Sequence, residues 1–191
     1  MIRRGRTPFL VLVLGVLVFA ATAAWAGFPN FQRYKDPVLV YGTSSPGALR
    51  LAEATSASSL GDPRVFVDGV VVVGIREGAT TRLTAPFEAV YVCVNGGGKV
   101  PSAANKTTLV GKLETSALFP AAKNGKATGS LLTDPLPSAE AAAAATGFAC
   151  PSGQTLELDR VVFSGLVLSV DGGEVVELAT TLVSKSVHGV G

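Results

Sequence analysis

The sequence predicts an all-β protein, an antiparallel β-sandwich with one short helix or alanine-rich loop. About eight short apolar, β-branched segments follow one another, and turn signals of glycine, proline, asparagine or aspartate separate them. Only one stretch, rich in alanine, favours a helix. A small barrel is the alternative, but the size of the chain and its long crossing loops favour a sandwich.

Residues 1–26 have the pattern of a secretory signal peptide. Arginines at the start are followed by an apolar run over residues 9–24, and Ala24-Trp25-Ala26 is a small-x-small cleavage site. An uncleaved amino-terminal anchor is the alternative, although the apolar run is short for a membrane span. We therefore expect cleavage between Ala26 and Gly27. The mature chain would be secreted or retained at the cell surface, with no membrane span.

The charge balance of the mature chain is nearly neutral. The full chain of 191 residues has 16 lysines and arginines against 14 acidic residues. The signal segment contains three arginines and no acid, so its removal leaves 13 basic residues against 14 acidic ones. No basic stripe remains to bind phosphates, so we expect no nucleic-acid partner.

The two cysteines, Cys93 and Cys150, both belong to the mature chain. An isolated pair in an oxidising compartment predicts a disulfide bond. A metal site needs more ligands, and the only histidine is His188, near the end of the chain. We expect neither a metal nor a cofactor.

The amino-terminal part of the mature chain, residues 27–62, is expected to be partly loop, with one short strand at Val38–Tyr41. The sandwich core is predicted over residues 63–183. Its first segment, residues 64–75, has Asp68-Gly69 in the middle. This pair indicates either a tight hairpin or one long strand with a glycine bulge. A further short strand is expected near Thr81–Thr84.

The clearest strand begins after Pro86 and continues to Asn95. Both of its faces are largely apolar, which is typical of an inner strand covered on two sides. Gly96, Gly97 and Gly98 then end it. Next, residues 111–119 and 126–133 predict a hairpin, because Asn124-Gly125 between them is a strong hairpin signal.

The helical candidate covers residues 138–146. Ser138 can cap its start, alanines favour its interior, and Gly147 can end it. The alternative is a low-complexity linker. Because Cys150 lies just beyond this segment, we expect the predicted disulfide to fix its position, so that it is not free to move.

Residues 155–170 have the longest strand signal, interrupted at Asp159-Arg160, where we expect a bulge. One parity is apolar and suits an inward face, namely Leu156, Leu158, Val162, Leu166, Leu168 and Val170. Residues 171–173 turn the chain, residues 174–182 form the last strand, and residues 184–191 are expected to be a flexible tail.

Two resemblances concern the central strand. Ala89-Val-Tyr-Val-Cys93 resembles the Tyr-x-Cys segment of immunoglobulin domains, although no cysteine lies upstream to pair across the sheets. It implies an immunoglobulin-like architecture only.

The second resemblance extends over residues 87–170 and is to an uncharacterised family of small secreted bacterial proteins. It rests on Tyr91-Val-Cys-Val-Asn95, Gly97-Gly98, Pro101, Ala104-Asn-Lys106, Lys123-Asn-Gly125 and Cys150-Pro-x-Gly153-Gln154. It implies a secreted, disulfide-bearing β-domain and carries over no catalytic residue.

One loop is a candidate ligand site, made of Asn95, Gly96, Gly97, Gly98, Asn105 and Lys106. Backbone amides of a glycine loop can hold an anion. No helix start follows the glycines, however, so a purely conformational role is the alternative.

No catalytic residues are predicted. Four candidate carboxylates lie singly in predicted turns, where turn geometry alone explains them, namely Asp68, Asp134, Asp159 and Asp171. We expect a non-catalytic interaction or structural protein, with a cell-envelope component or another secreted protein as partner. A glycan or small-ligand binding module is the alternative, and a small secreted hydrolase is the third.

Overall fold

The computed structural model describes residues 28–41, 50–51, 62–100, 105–122, 124–184 and 186–188. Within them the chain forms two antiparallel sheets packed on each other, which confirms the predicted all-β sandwich. The elements in chain order are β1 (Asn30–Arg33), β2 (Val38–Tyr41), β3 (Arg50–Leu51), β4 (Pro63–Val73), β5 (Gly78–Asn95), β6 (Lys106–Pro120), β7 (Lys126–Leu132), α1 (Ala139–Thr146), β8 (Gln154–Phe163), β9 (Leu166–Val170), β10 (Val175–Leu178) and β11 (Leu182–Val183).

Each sheet is built around one long strand. In the first sheet β4 pairs with β7 on one side and with β1 and β2 on the other, and β3 extends β2. In the second sheet β5 pairs with β6 on one side and with β8 and β9 on the other, and these two carry β11 and β10. Strands β1 and β2, which precede residue 63, therefore belong to the first sheet.

Asp68-Gly69 forms a bulge in one continuous strand, so the hairpin alternative is wrong. Val67 pairs with Leu131 and Val70 with Gly129, which leaves two residues of β4 opposite one of β7. Gly69 has φ of 62°, a conformation that glycine adopts without strain. The extra residue reverses the parity of β4, and Val65, Val67, Val70 and Val72 all reach the core.

The predicted short strand at Thr81–Thr84 and the predicted central strand are one strand, β5, of 18 residues. Pro86 lies inside it, where a missing N–H would normally break the ladder. The partner strands explain this position, because β9 ends its pairing with β5 at Thr84 and β8 begins at Phe87. Pro86 thus faces the gap between β9 and β8, and its carbonyl accepts a hydrogen bond from Ser164 at 3.2 Å.

The Asn124-Gly125 turn exists, but the predicted hairpin does not. Gly125 donates to the carbonyl of Ala122 at 3.1 Å, and a single bridge joins Ala121 to Ala127. Beyond that bridge β6 continues into the second sheet and β7 into the first. The ring of Phe119 packs directly against Gly129, in the space that a Cβ at position 129 would fill. The turn therefore crosses between the sheets.

The predicted strand over residues 155–170 is divided into β8 and β9 at Ser164-Gly165. The bulge at Asp159 is confirmed, since Val90 pairs with Arg160 and Tyr91 with Leu158. The bulge reverses the inward parity, so that Val161 and Phe163 are buried and Val162 is only partly covered. The assignment of Val162 to the inward face was wrong for this reason.

The predicted helix is confirmed as α1. The Ser138 hydroxyl accepts a hydrogen bond from the N–H of Ala141, and Gly147 ends the helix with φ of 65°. Ala142 is fully buried in the main core. The helix packs on β6 and β8 and so covers the part of the second sheet that lies toward Asn95.

Candidate functional site

The predicted disulfide is present. Cys93 on β5 is fully buried, and its Sγ bonds to that of Cys150, which follows α1. A disulfide fits an extracellular protein. The bond joins the end of the central strand to the end of the helical segment.

Tyr91 fixes the other end of that segment. Its hydroxyl donates to the carbonyl of Pro137 at 2.7 Å, just before the helix cap. Burial of the ring raises the pKa of Tyr91 to about 12. Both ends of the α1 segment are thus attached to the inner face of β5.

The candidate ligand loop lies at the end of β5 and is exposed from Asn95 to Lys99. The side-chain oxygen of Asn95 accepts hydrogen bonds from the amides of Gly97 and Lys99, both at 3.1 Å. These are amides that an anion would need, and they already have a partner. Gly98 has φ of 72°, so the arrangement favours the conformational role of the glycines.

The remaining predicted site residues lie apart from that turn. The carbonyl of Asn105 accepts from the N–H of Cys93 at 2.9 Å, and Lys106 begins β6. Ala26 and Gly27, the predicted cleavage pair, lie outside the described residues, as does Pro101. Asn105 and Lys106 therefore belong to the β5–β6 pairing.

Among the residues that the structure describes, strand β6 forms a long outer edge of the second sheet. All of its 15 residues pair with β5 in an unbroken register, from Lys106 opposite Val92 to Pro120 opposite Gly78. Among the described strands, the others that end a sheet have two to seven residues. Natural proteins commonly keep edge strands short or interrupted, because an open edge pairs with other chains. Strand β6 is neither short nor interrupted.

The direction of the backbone groups of β6 follows from one hydrogen bond. Cys93 donates to Asn105, so this pair is hydrogen-bonded, and such pairs recur at every second residue of an antiparallel ladder. Odd-numbered residues of β6 therefore bond to β5. Even-numbered residues, from 106 to 118, direct their N–H and C=O groups toward the open edge.

A groove of about 360 Å³ runs between β6 and α1. Its walls are mainly apolar and include Leu109, Gly111 and Leu113 of β6 and Ala141 and Ala145 of α1. The ring of Phe87 lies across Gly111, where an added Cβ would come within 2.8 Å of it. The absent side chain of Gly111 thus lets Phe87 form part of the groove.

The outer face of β6 carries one close ion pair. Lys112 Nζ lies 2.8 Å from Glu114 Oε1, and this contact lowers the pKa of Glu114. Val110 and Leu118, on the same face, are 73% and 70% exposed. The edge therefore combines apolar side chains with one charge of each sign at its centre.

A buried polar cluster around Asp159, here called the Asp159 cluster, binds the segment after β11. The buried carboxylate of Asp159 accepts from the Ser186 hydroxyl at 2.7 Å and from the His188 amide at 2.8 Å. The Ser184 hydroxyl accepts from the N–H of Val161 at 2.8 Å. Residues 184 and 186–188 are therefore hydrogen-bonded to β8.

This cluster lacks the geometry of a Ser-His-Asp site. Ser186 donates directly to Asp159, and the His188 ring faces Glu157 instead, with Nε2 3.4 Å from Oε2. A catalytic triad needs the imidazole between the hydroxyl and the carboxylate. The cluster is structural in this arrangement.

Three further observations concern the alternative functions. Within the described ranges, no three His, Cys, Asp or Glu side chains are placed to hold a metal ion. In the same part of the chain, Phe28 is the one exposed large aromatic side chain, and it lies outside the strands. No helix among the described residues is long and apolar enough to cross a membrane.

No protein-family model matches this chain, and no curated protein matches it. The resemblance to small secreted bacterial proteins therefore stays a prediction.

The edge and the polar cluster were both missed from the sequence. The predicted strand covered only residues 111–119 of β6, and residues 107–119 have no regular alternation, since Thr107-Thr108 and Leu109-Val110 are pairs of like polarity. The β-branched Thr107, Thr108 and Val110 were the available signal for a longer strand. Asp159 and His188 are separated by 29 positions. No local pattern connects them.

Proposed function

We propose that this protein is an exported, non-catalytic interaction domain that binds a partner protein by strand addition at the β6 edge. In strand addition an extended segment of the partner joins an exposed sheet edge, and its main chain forms the hydrogen bonds. The observation that carries the proposal is the unbroken, 15-residue β6 with one side of its backbone outside the ladder.

Export is supported by the sequence of residues 1–26 and by the disulfide. An envelope component or another exported protein is the expected class of partner. The signal pattern would deliver the domain to a compartment in which the Cys93–Cys150 bond forms and persists.

The rigidity of the edge supports the same proposal. The β5 strand that carries β6 is buried on its inner face and attached to α1 through Tyr91 and Cys93. A preformed edge loses little conformational entropy on binding. The groove beside it offers apolar space for every second side chain of an added strand.

The test is Val110→Pro, with Val110→Ala as the matched control. The N–H of Val110 points to the open edge, so proline there blocks an added strand but removes no bond to β5. Alanine removes the same side chain and keeps the N–H.

The readouts are the division of the exported protein between medium and envelope, and its size in native gel filtration. We expect Val110→Pro to move the protein to a free, smaller form with an unchanged melting temperature, and Val110→Ala to resemble the wild type. If wild type and Val110→Pro distribute between medium and envelope in the same proportion and elute at the same volume, strand addition at β6 is refuted.

A further inference from the structure

We infer that the strand added to β6 is β6 of a second copy of this chain, antiparallel to the first. The two-fold axis lies midway between the two copies of Leu113, and an axis in this position is called an axis through Leu113. This inference rests on the proposed function, because it names the occupant of the same edge.

Hydrogen bonding restricts the register of such a pair. Only even-numbered residues of β6 direct their backbone groups outward, so even residues of one copy must face even residues of the other. Near the middle of the strand, two-fold axes through Lys112, Leu113 or Glu114 meet this condition. The backbone alone does not choose among them.

The charges choose the axis through Leu113. An axis through Lys112 places two lysines directly opposite each other, and one through Glu114 places two glutamates opposite each other. Both arrangements are unfavourable, because like charges facing across strands repel. With the axis through Leu113, Lys112 of each copy faces Glu114 of the other.

The observed side chains already have the placement that this pairing needs. Lys112 and Glu114 lie on the same outer face and touch within one chain at 2.8 Å. In the pair, two lysines and two glutamates would form a square of alternating sign around the axis. The centre of the edge is therefore complementary to itself in charge, and Lys106 at the start of β6 adds one further positive charge.

The apolar side chains of β6 fit the same axis. On the inner face Leu113 would meet its own copy, and Leu109 would face Ala117, so that these side chains cover the groove beside α1. On the outer face the exposed Val110 and Leu118 would lie opposite Ser116 and Thr108. The result is one continuous sheet across both copies, about 45 Å long at the junction from the rise of a strand.

The experiment is sedimentation equilibrium of the purified disulfide-bonded chain from micromolar to millimolar concentration. Wild type should be a dimer at the upper end of that range. Lys112→Glu and Glu114→Lys should each weaken self-association by about tenfold or more, because both symmetric pairs change from attraction to repulsion.

The decisive measurement is the mixture of the two single variants. Lys112→Glu carries two glutamates at the centre of β6, and Glu114→Lys carries two lysines, so the mixture should form a heterodimer that neither variant forms alone. The double exchange Lys112→Glu/Glu114→Lys should restore the homodimer. Unchanged melting temperatures of the monomers serve as the folding control.

Three results overturn the inference. They are a wild type that stays monomeric throughout, single variants that dimerise like the wild type, and a mixture that does not associate. If the purified chain is monomeric while Val110→Pro still releases a complex from exporting cells, the occupant is another protein and the proposed function stands. If Val110→Pro changes nothing, the proposed function fails as well.

Discussion

Tyr91 and Cys93 lie two residues apart on the inner face of β5, and each holds one end of the segment that carries α1. The Tyr91 hydroxyl bonds the carbonyl of Pro137 before the helix, and the Cys93 sulfur bonds Cys150 after it. An eight-residue helix is marginal alone. Its position over β6 therefore depends on these two attachments as well as on the burial of Ala142.

The hydrogen bond of Tyr91 should be measurable through Tyr91→Phe. The change removes the bond to Pro137 and leaves the ring, so we expect a loss of about 1 kcal/mol in the free energy of unfolding at neutral pH. Denaturant titration at constant pH measures it.

The same variant tests the pH dependence. The pKa of Tyr91 is raised from 10.0 to about 12 in the folded protein. The unfolded chain therefore releases this proton first, and the stability due to the neutral phenol is complete below pH 10 and lost as pH rises toward 12. The wild type should lose up to about 2–3 kcal/mol more than Tyr91→Phe across this range. Parallel curves for the two proteins would contradict the assignment.

Removal of the disulfide should destabilise the fold strongly. The cysteines are separated by 57 positions, and the chain-entropy model gives about 4 kcal/mol for a loop of this length. We expect Cys93→Ser and Cys150→Ser each to lose a few kcal/mol, and the double variant to be no worse than either single one. Thermal melts with and without reductant measure this, and a single variant as stable as the wild type would contradict it.

The contact between Phe119 and Gly129 should tolerate no added methyl group. An alanine Cβ at position 129 would overlap the Phe119 ring, so Gly129→Ala should lower the free energy of unfolding by about 1–3 kcal/mol. Gly96→Ala is the matched control, because its Cβ would have no neighbour within 4 Å. A smaller side chain in Phe119→Leu should reduce the cost of Gly129→Ala. Equal effects at 96 and 129 would exclude this packing account.

The Asp159 cluster should govern the segment after β11. Asp159→Ala leaves the hydroxyl of Ser186 and the amide of His188 without their acceptor, so we expect a loss of about 3 kcal/mol. Residues 186–188 should then become sensitive to carboxypeptidase. Asp134→Ala, at an exposed aspartate, is the control and should change neither property. Equal digestion of the wild type and Asp159→Ala would mean that the carboxylate does not hold this segment.

The sequence predicted those parts of the fold that depend on local chemistry. The capped helix at Ser138, the bulge at Asp159 and the disulfide all rest on residue types in one short stretch or on a simple count. The pairing of strands does not depend on local chemistry alone. The Asn124-Gly125 turn was identified correctly, but the same turn serves a hairpin or a crossing between sheets, and the long-range contact of Phe119 with Gly129 decides between them.

The candidate site was harder to predict for a related reason. An edge is defined by the absence of a neighbour on one side, and which side chains lie on each face of a strand does not depend on whether another strand pairs with its edge. Likewise, a bulge changes which alternate residues of a strand face inward. The extra residue at Asp159 places Val161 and Phe163, and not Val162, on the inward face. The glycine loop was conspicuous in the sequence, yet the Asn95 side chain accepts hydrogen bonds from the amides of Gly97 and Lys99, and its carbonyl accepts one from Gly98.

The crossing turn at Asn124-Gly125 makes the alignment of the two sheets interdependent. A slip of β6 by one residue against β5 would turn Phe119 outward and lift its ring from Gly129. The Ala121–Ala127 bridge would shift with it, and β7 would lose its alignment with β4. Neither ladder can therefore slide alone, and a sequence change that loosens one sheet should produce alternative conformers in both.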